Sequence, residues 1–181
     1  QSTRTFRSML GNYGEILRAP RTPALLALRF LPTVYWGCAT FLMPLLLFRL
    51  TGSEKPAGYY ASASMVLSAV CQLGMGRIVD RFGVRVPVVA AVTLVAVAAL
   101  GKGLFPGSLW PLMGFGLLGA GAAWGLSVAM TTLVHQLAEE ETKAKLLGLT
   151  HVAWSLGFLA GTASSGFLAR EAGHGGEAFL I

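Results

Sequence analysis

Five long apolar runs, at residues 24–48, 58–79, 86–104, 111–137 and 144–169, take up most of the chain and leave only short polar connections. A helix needs about 20 mostly apolar residues to cross the hydrocarbon core of a bilayer. Inside a bilayer each backbone N–H and C=O must be bonded within the protein, so runs this long are expected to be helices. The expected fold class is therefore an all-α membrane protein, a polytopic helical bundle. Composition agrees. Charged residues make up 12% of the chain, about half the share in soluble domains. The 23 glycines suit a bundle in which small residues let helices approach closely.

Prolines mark the helix ends. Pro23 and Pro87 fit first turns, where a missing N–H costs little. Pro32 and Pro44 fall inside the first run, which a bundle tolerates when neighbours satisfy the freed carbonyls. Residues 1–22 form a polar, basic tail. Met9, Ile16 and Leu17 give it a weak apolar face, so both a surface-lying helix and a flexible linker stay open. The chain begins at Gln1, and Ala178, Phe179, Leu180 and Ile181 open a further apolar segment. It reads as a fragment cut at both ends, with residues 23–181 holding about five complete helices and the start of a sixth.

Charge orients the bundle. Arg4, Arg7, Arg18, Arg21, Arg77, Arg81, Arg85, Lys143 and Lys145 fall on one side, and Arg49, Lys55, Lys102 and Arg170 on the other. Basic loops resist translocation, so the richer side is expected in the cytoplasm, with the amino terminus. The net charge of +6 is thus a topological signal, and nucleic acid is not an expected partner. Cys38 and Cys71 lie inside apolar runs. They read as packing residues, and no metal-ligand spacing is present.

The stretch Gly76-Arg77-Ile78-Val79-Asp80-Arg81-Phe82-Gly83-Val84-Arg85 reads as a short loop between the second and third helices. It resembles the loop at that place in either half of a major facilitator superfamily transporter: Gly, two or three apolar residues, Asp, Arg, any residue, Gly, then two basic residues. Gly76, Asp80, Arg81, Gly83 and Arg85 match, while Val84 stands where a second basic residue is usual. Asp80, at the end of an apolar helix, is expected to take a partner, with Arg77, Arg81 and Arg85 nearby. A second resemblance, to the glycine-rich motif of the family's antiporters, rests on Gly148, Gly157, Gly161 and Gly166 in the fifth run. Thr162 replaces its proline and Ser165 one of its glycines. Gly157 and Gly161, one turn apart, share a face suited to close helix packing.

The resemblance implies one six-helix half of a transporter, with residues 1–22 a cytoplasmic tail or inter-half linker. The 76–85 loop would latch the two halves on the cytoplasmic face. Residues 111–121 lack the arginine that amino-terminal halves often carry, which favours the carboxy-terminal half. The resemblance also makes the first and fourth helices line a central cavity. On the first, Arg29, Thr33, Trp36 and Thr40 are spaced 4, 3 and 4 apart and stack on one side. The fourth offers Trp124, Thr131 and His135. Polar stripes in membrane helices usually face a cavity or partner, although Arg29 is near enough to a helix end to snorkel to lipid phosphate. Gln72 is expected to bond across helices.

The functional expectation is secondary active transport of a small organic solute by alternating access, coupled to an ion gradient or driven by the solute's own. Proton coupling is one option, and either symport or antiport would fit. No nucleotide-binding, paired-acid or nucleophile motif is present, so no enzyme activity, cofactor or metal is expected. The expected partners are membrane lipid, a small-molecule substrate and the other transporter half. The expected location is the plasma (inner) membrane of a bacterium. A non-transporting assembly partner or receptor is the competing reading.

Overall fold

The computed structural model describes residues 13–171, with side chains through residue 167. The expectations for Met9 and for a sixth helix beginning near residue 178 lie outside these residues. Five long helices follow in order: α1 (Thr22–Thr51), α2 (Lys55–Phe82), α3 (Arg85–Leu104), α4 (Leu109–Leu137) and α5 (Glu140–Glu171). Each is long and apolar enough to cross a membrane. Residues 13–18 are also helical. Ile16 packs on the core while Leu17 is exposed.

The apolar runs set the helices, and local chemistry sets their ends. Proline occupies the first turn of α1 and of α2, where no intrahelical N–H is lost. Gly52 ends α1 at φ 65° and donates its N–H to the Phe48 carbonyl. That left-handed residue closes the helix at no steric cost for glycine. The helix α5 starts earlier than its apolar run, because Glu140 and Glu141 occupy its first turn. There their charge suits the helix dipole, and Glu140 pairs with Lys143.

The stretch read from the sequence as the 76–85 loop is mostly helix, and this is a correction. Residues 76–82 complete α2 and Arg85 begins α3, so only Gly83 and Val84 connect them. The reversal turns on Gly83, at φ 72° and ψ 170°, a region essentially reserved for glycine. Nothing lies within 4 Å of a Cβ added at Gly76, so it needs glycine neither for a turn nor for packing. Val84, where the family pattern has a basic residue, is 5% exposed and belongs to the core.

Short connections make successive helices antiparallel, and two apolar clusters close the ends of the bundle. One joins Leu25 of α1, Val79 of α2, Val88 of α3, Val134 of α4 and Leu146 of α5. The other joins Leu42, Met43, Leu46 and Leu47 of α1 to Leu112 of α4. Between them lies the middle of α1 and α4.

Helix α1 packs most extensively against α5, and glycine makes the approach close. A Cβ at Gly37 would lie 2.5 Å from the Phe158 carbonyl oxygen of α5. One at Gly157 would lie 2.7 Å from the Phe30 oxygen, and one at Gly161 would fall on the Val34 oxygen. Cys38 donates its thiol hydrogen to the Gly161 carbonyl at 3.1 Å. Gly148 and Gly166 have nothing within 4 Å of such an atom. The four glycines of the expected motif therefore divide into two that interlock with α1 and two that do not.

The outside is apolar. Helix α2 exposes Tyr59, Met65, Val66, Val70 and Leu73, a surface suited to lipid or another helix and costly in water. Gln72 is also exposed, and among the described residues it makes no side-chain hydrogen bond to another helix. That corrects the expected cross-helix bond.

Candidate functional site

The stripe predicted on α1 divides by chemistry. Thr33 and Thr40 donate their hydroxyl hydrogens to the carbonyls of Arg29 and Trp36, four residues back, at 2.7 and 2.8 Å. This is the usual refuge of a helical threonine. Thr33 is buried, and Thr40 is exposed. The two longer side chains reach outward from the stripe. Arg29 donates from Nη2 to Ser127 Oγ of α4 at 3.1 Å, so the guanidinium is tied across the bundle instead of snorkelling to an edge.

Trp36 is the centre of an aromatic cluster. Its ring meets Trp124 of α4 edge-on, with centroids 5.2 Å apart and an interplanar angle of 77°. On its α5 side lie Trp154 and Phe158, at 6.0 and 5.3 Å, themselves stacked at 5.8 Å. Edge-on and offset contacts match the positive rim of one ring to the negative face of another.

Two chambers adjoin this cluster and share Trp36 and Trp124. The first, about 30 Å³, is lined by Arg29, Pro32, Thr33, Ser127 and Trp154 among others. The second, about 230 Å³, is lined on α1 by Tyr35 and Thr40, on α2 by Tyr60 and Ser64, and on α3 by Lys102. Five of the seven predicted cavity residues, Arg29, Thr33, Trp36, Thr40 and Trp124, thus line one chamber or both. Thr131 and His135 line neither and are exposed. They lie 7 and 11 residues beyond Trp124, roughly 10 and 16 Å along the helix.

Sequence reasoning missed Ser127, Trp154 and Lys102. Trp154 stands four residues before Phe158, an aromatic pair on one helical face that could have been read. Lys102 was counted with the outer loop. It belongs to the last turn of α3 and is wholly buried, with its Nζ 4.4 Å from the centroid of the Tyr35 ring. Lys102 therefore leaves the loop tally used to orient the chain, which tilts the remaining bias further the same way.

The expected ion pair of Asp80 is not formed within the described residues. The carboxylate is exposed, and the ion pair seen there is Lys143 with Glu140. Arg81 adjoins Asp80 in sequence, points off another face of the helix and lies over the Phe82 ring at 5.4 Å. An exposed pair with Arg77 would gain little.

Fold and chambers together define a class, an integral membrane helical bundle with two aromatic-lined chambers inside it. The family follows from comparison: residues 25–181 match the model of the Major Facilitator Superfamily, and the chain belongs to that family. Its members are in general membrane transporters and in general not enzymes. Comparison with curated proteins and with solved structures finds no match.

Proposed function

We propose that this chain forms one half of a secondary active transporter, moving a small organic solute by alternating access around the chambers at Trp36 and Trp124. The observation that carries the reading is the cross-bundle tie from Arg29 to Ser127 beside that aromatic pair. A charged side chain held inside a membrane bundle marks a pathway or a site. Indole faces supply apolar contact area with little entropy to lose. The other transporter half would close the open side of the second chamber, where Thr40, Ala61 and Met65 are exposed.

On this reading the carboxy-terminal half is favoured, and the amino terminus and the Gly83 turn face the cytoplasm of a bacterial inner membrane. The exposed Asp80, with Gly76, Arg81, Gly83 and Arg85 around it, would serve as the contact that latches the two halves on that side. Its partner would be arginines or helix amino-terminal N–H groups of the other half. The driving force is an ion gradient or the solute's own gradient.

The test is solute flux into sealed vesicles containing the protein expressed from its complete reading frame, with Arg29→Ala and Trp36→Ala beside it. Gradient-driven flux is expected, and both substitutions should weaken solute binding more than they lower expression. A protein that inserts normally and moves no solute under any gradient would be a receptor or assembly partner instead.

A further inference from the structure

Lys102 stands three residues from the Phe105 cap of α3. A lysine so placed could carry its ammonium out to water along its own alkyl stem, yet it is 0% exposed. Helical side chains lean toward the helix amino terminus, and here that direction leads toward the middle of the bundle. The packing keeps it there. Gly101 and Gly103 on either side are buried, and the Phe115 ring of α4 lies where a Cβ on Gly101 would be. The ammonium sits over the Tyr35 ring and lines the larger chamber.

The rest of that lining is largely apolar, with a few hydroxyl groups set in it. Tyr35 has a buried hydroxyl that makes no hydrogen bond among the described residues. Tyr60 lines the same chamber from α2, as does Ser64, whose hydroxyl hydrogen is already donated to the Ala61 carbonyl. Trp36 and Trp124 form its wall toward Arg29. A cation with hydroxyl donors beside it recognises an anion through charge-assisted hydrogen bonds. A wall of indole and phenol faces suits an apolar body. The volume of about 230 Å³ holds several waters or a small organic molecule.

We propose that this chamber binds a small organic anion, its carboxylate against Lys102 and the Tyr35 hydroxyl and its apolar body against Trp36 and Trp124. The inference deepens the transport reading and rests on it for calling the anion a cargo; the binding itself can be measured separately. Benzoate, with benzamide as its neutral counterpart, probes the site in the purified full-length protein through quenching of tryptophan fluorescence. A Trp110→Phe background removes the exposed indole outside the cluster.

Saturable quenching by benzoate is expected, with benzamide at least tenfold weaker, the factor that loss of one charge-assisted hydrogen bond brings. Lys102→Gln should weaken benzoate by tenfold or more, and Lys102→Arg should keep affinity within severalfold of wild type. Tyr35→Phe, which removes one oxygen and leaves the ring under the ammonium, should weaken benzoate severalfold and leave benzamide unchanged. If Lys102→Gln fails to fold, the benzoate–benzamide ratio and Tyr35→Phe still decide. Equal binding of benzoate and benzamide, or loss of benzoate binding in Arg29→Gln with none in Lys102→Gln, overturns the assignment. The two readings fail separately. Flux of an uncharged solute without benzoate binding leaves transport standing and removes the anion site. Benzoate binding at Lys102 with no flux leaves the site and removes transport.

Discussion

The interlocked glycines of α1 and α5 offer the most direct physical test of this bundle, through Gly161→Ala. The added methyl would fall on the Val34 carbonyl oxygen and lie 2.9 Å from the Cys38 nitrogen. Both are backbone atoms within a helix, so neither can swing aside as a side chain would. The helices must separate, and overpacking of this kind costs about 1–3 kcal/mol. Replacing a helical glycine by alanine gains about 1 kcal/mol on its own, so the net loss should be up to about 2 kcal/mol, at the upper end here because both contacts are with backbone. Gly148→Ala and Gly166→Ala meet nothing within 4 Å and should be neutral or slightly stabilising. The opposite signs within one motif make the experiment discriminating. Cys38, bonded to the Gly161 carbonyl, provides the readout. In a Cys71→Ser background, thiol modification of Cys38 and thermal unfolding are followed together in detergent. Gly161→Ala should lower the unfolding temperature and speed Cys38 modification, and the two controls should do neither. A Gly161→Ala protein as stable as its parent, with Cys38 equally protected, would falsify the close approach of α1 and α5.

Other outcomes follow from the turn, the latch and the topology. Gly83→Ala forces a methyl into a glycine-only backbone region and should cost about 1–3 kcal/mol, measured by unfolding, while Gly76→Ala should not destabilise. Asp80→Asn should leave insertion and folding near normal, cripple transport and raise cytoplasmic accessibility of the chambers. The loss of a charge-assisted bond of about 1.5–3 kcal/mol shifts a two-state balance by roughly tenfold or more. Transport at wild-type rate with unchanged accessibility would reduce the turn to a topology signal. With Cys38 and Cys71 removed, a cysteine at Arg81 should be labelled from the cytoplasm only, and labelling from outside intact cells would reverse the orientation.

How much was legible in the chain depends on the range of the interaction concerned. Five helices could be read from apolar length alone, because a bilayer leaves the backbone of such a run no other way to satisfy its polar groups. The family pattern around Asp80 was legible too, since it is a string of neighbours, although its helical character was not. An exposed helix end and a loop carry the same charges, and only the backbone angle at Gly83 separates them. The stripe of Arg29, Thr33, Trp36 and Thr40 followed from helical spacing, a property of one helix. Apart from Trp124, its partners did not follow. Ser127, Trp154 and Lys102 come from three other helices, and their meeting depends on how the helices are rotated and how deeply they are set. Lys102 shows the limit most clearly. In sequence it is a cation beside a loop, and in the structure it is wholly buried, next to the close packing of Phe115 on Gly101. The four glycines of α5 look alike along the chain, and only the position of α1 selects Gly157 and Gly161 as the two that must be small. Helix existence is a one-dimensional property of burial in lipid. The choice of faces that meet is made by contacts between helices distant in the chain.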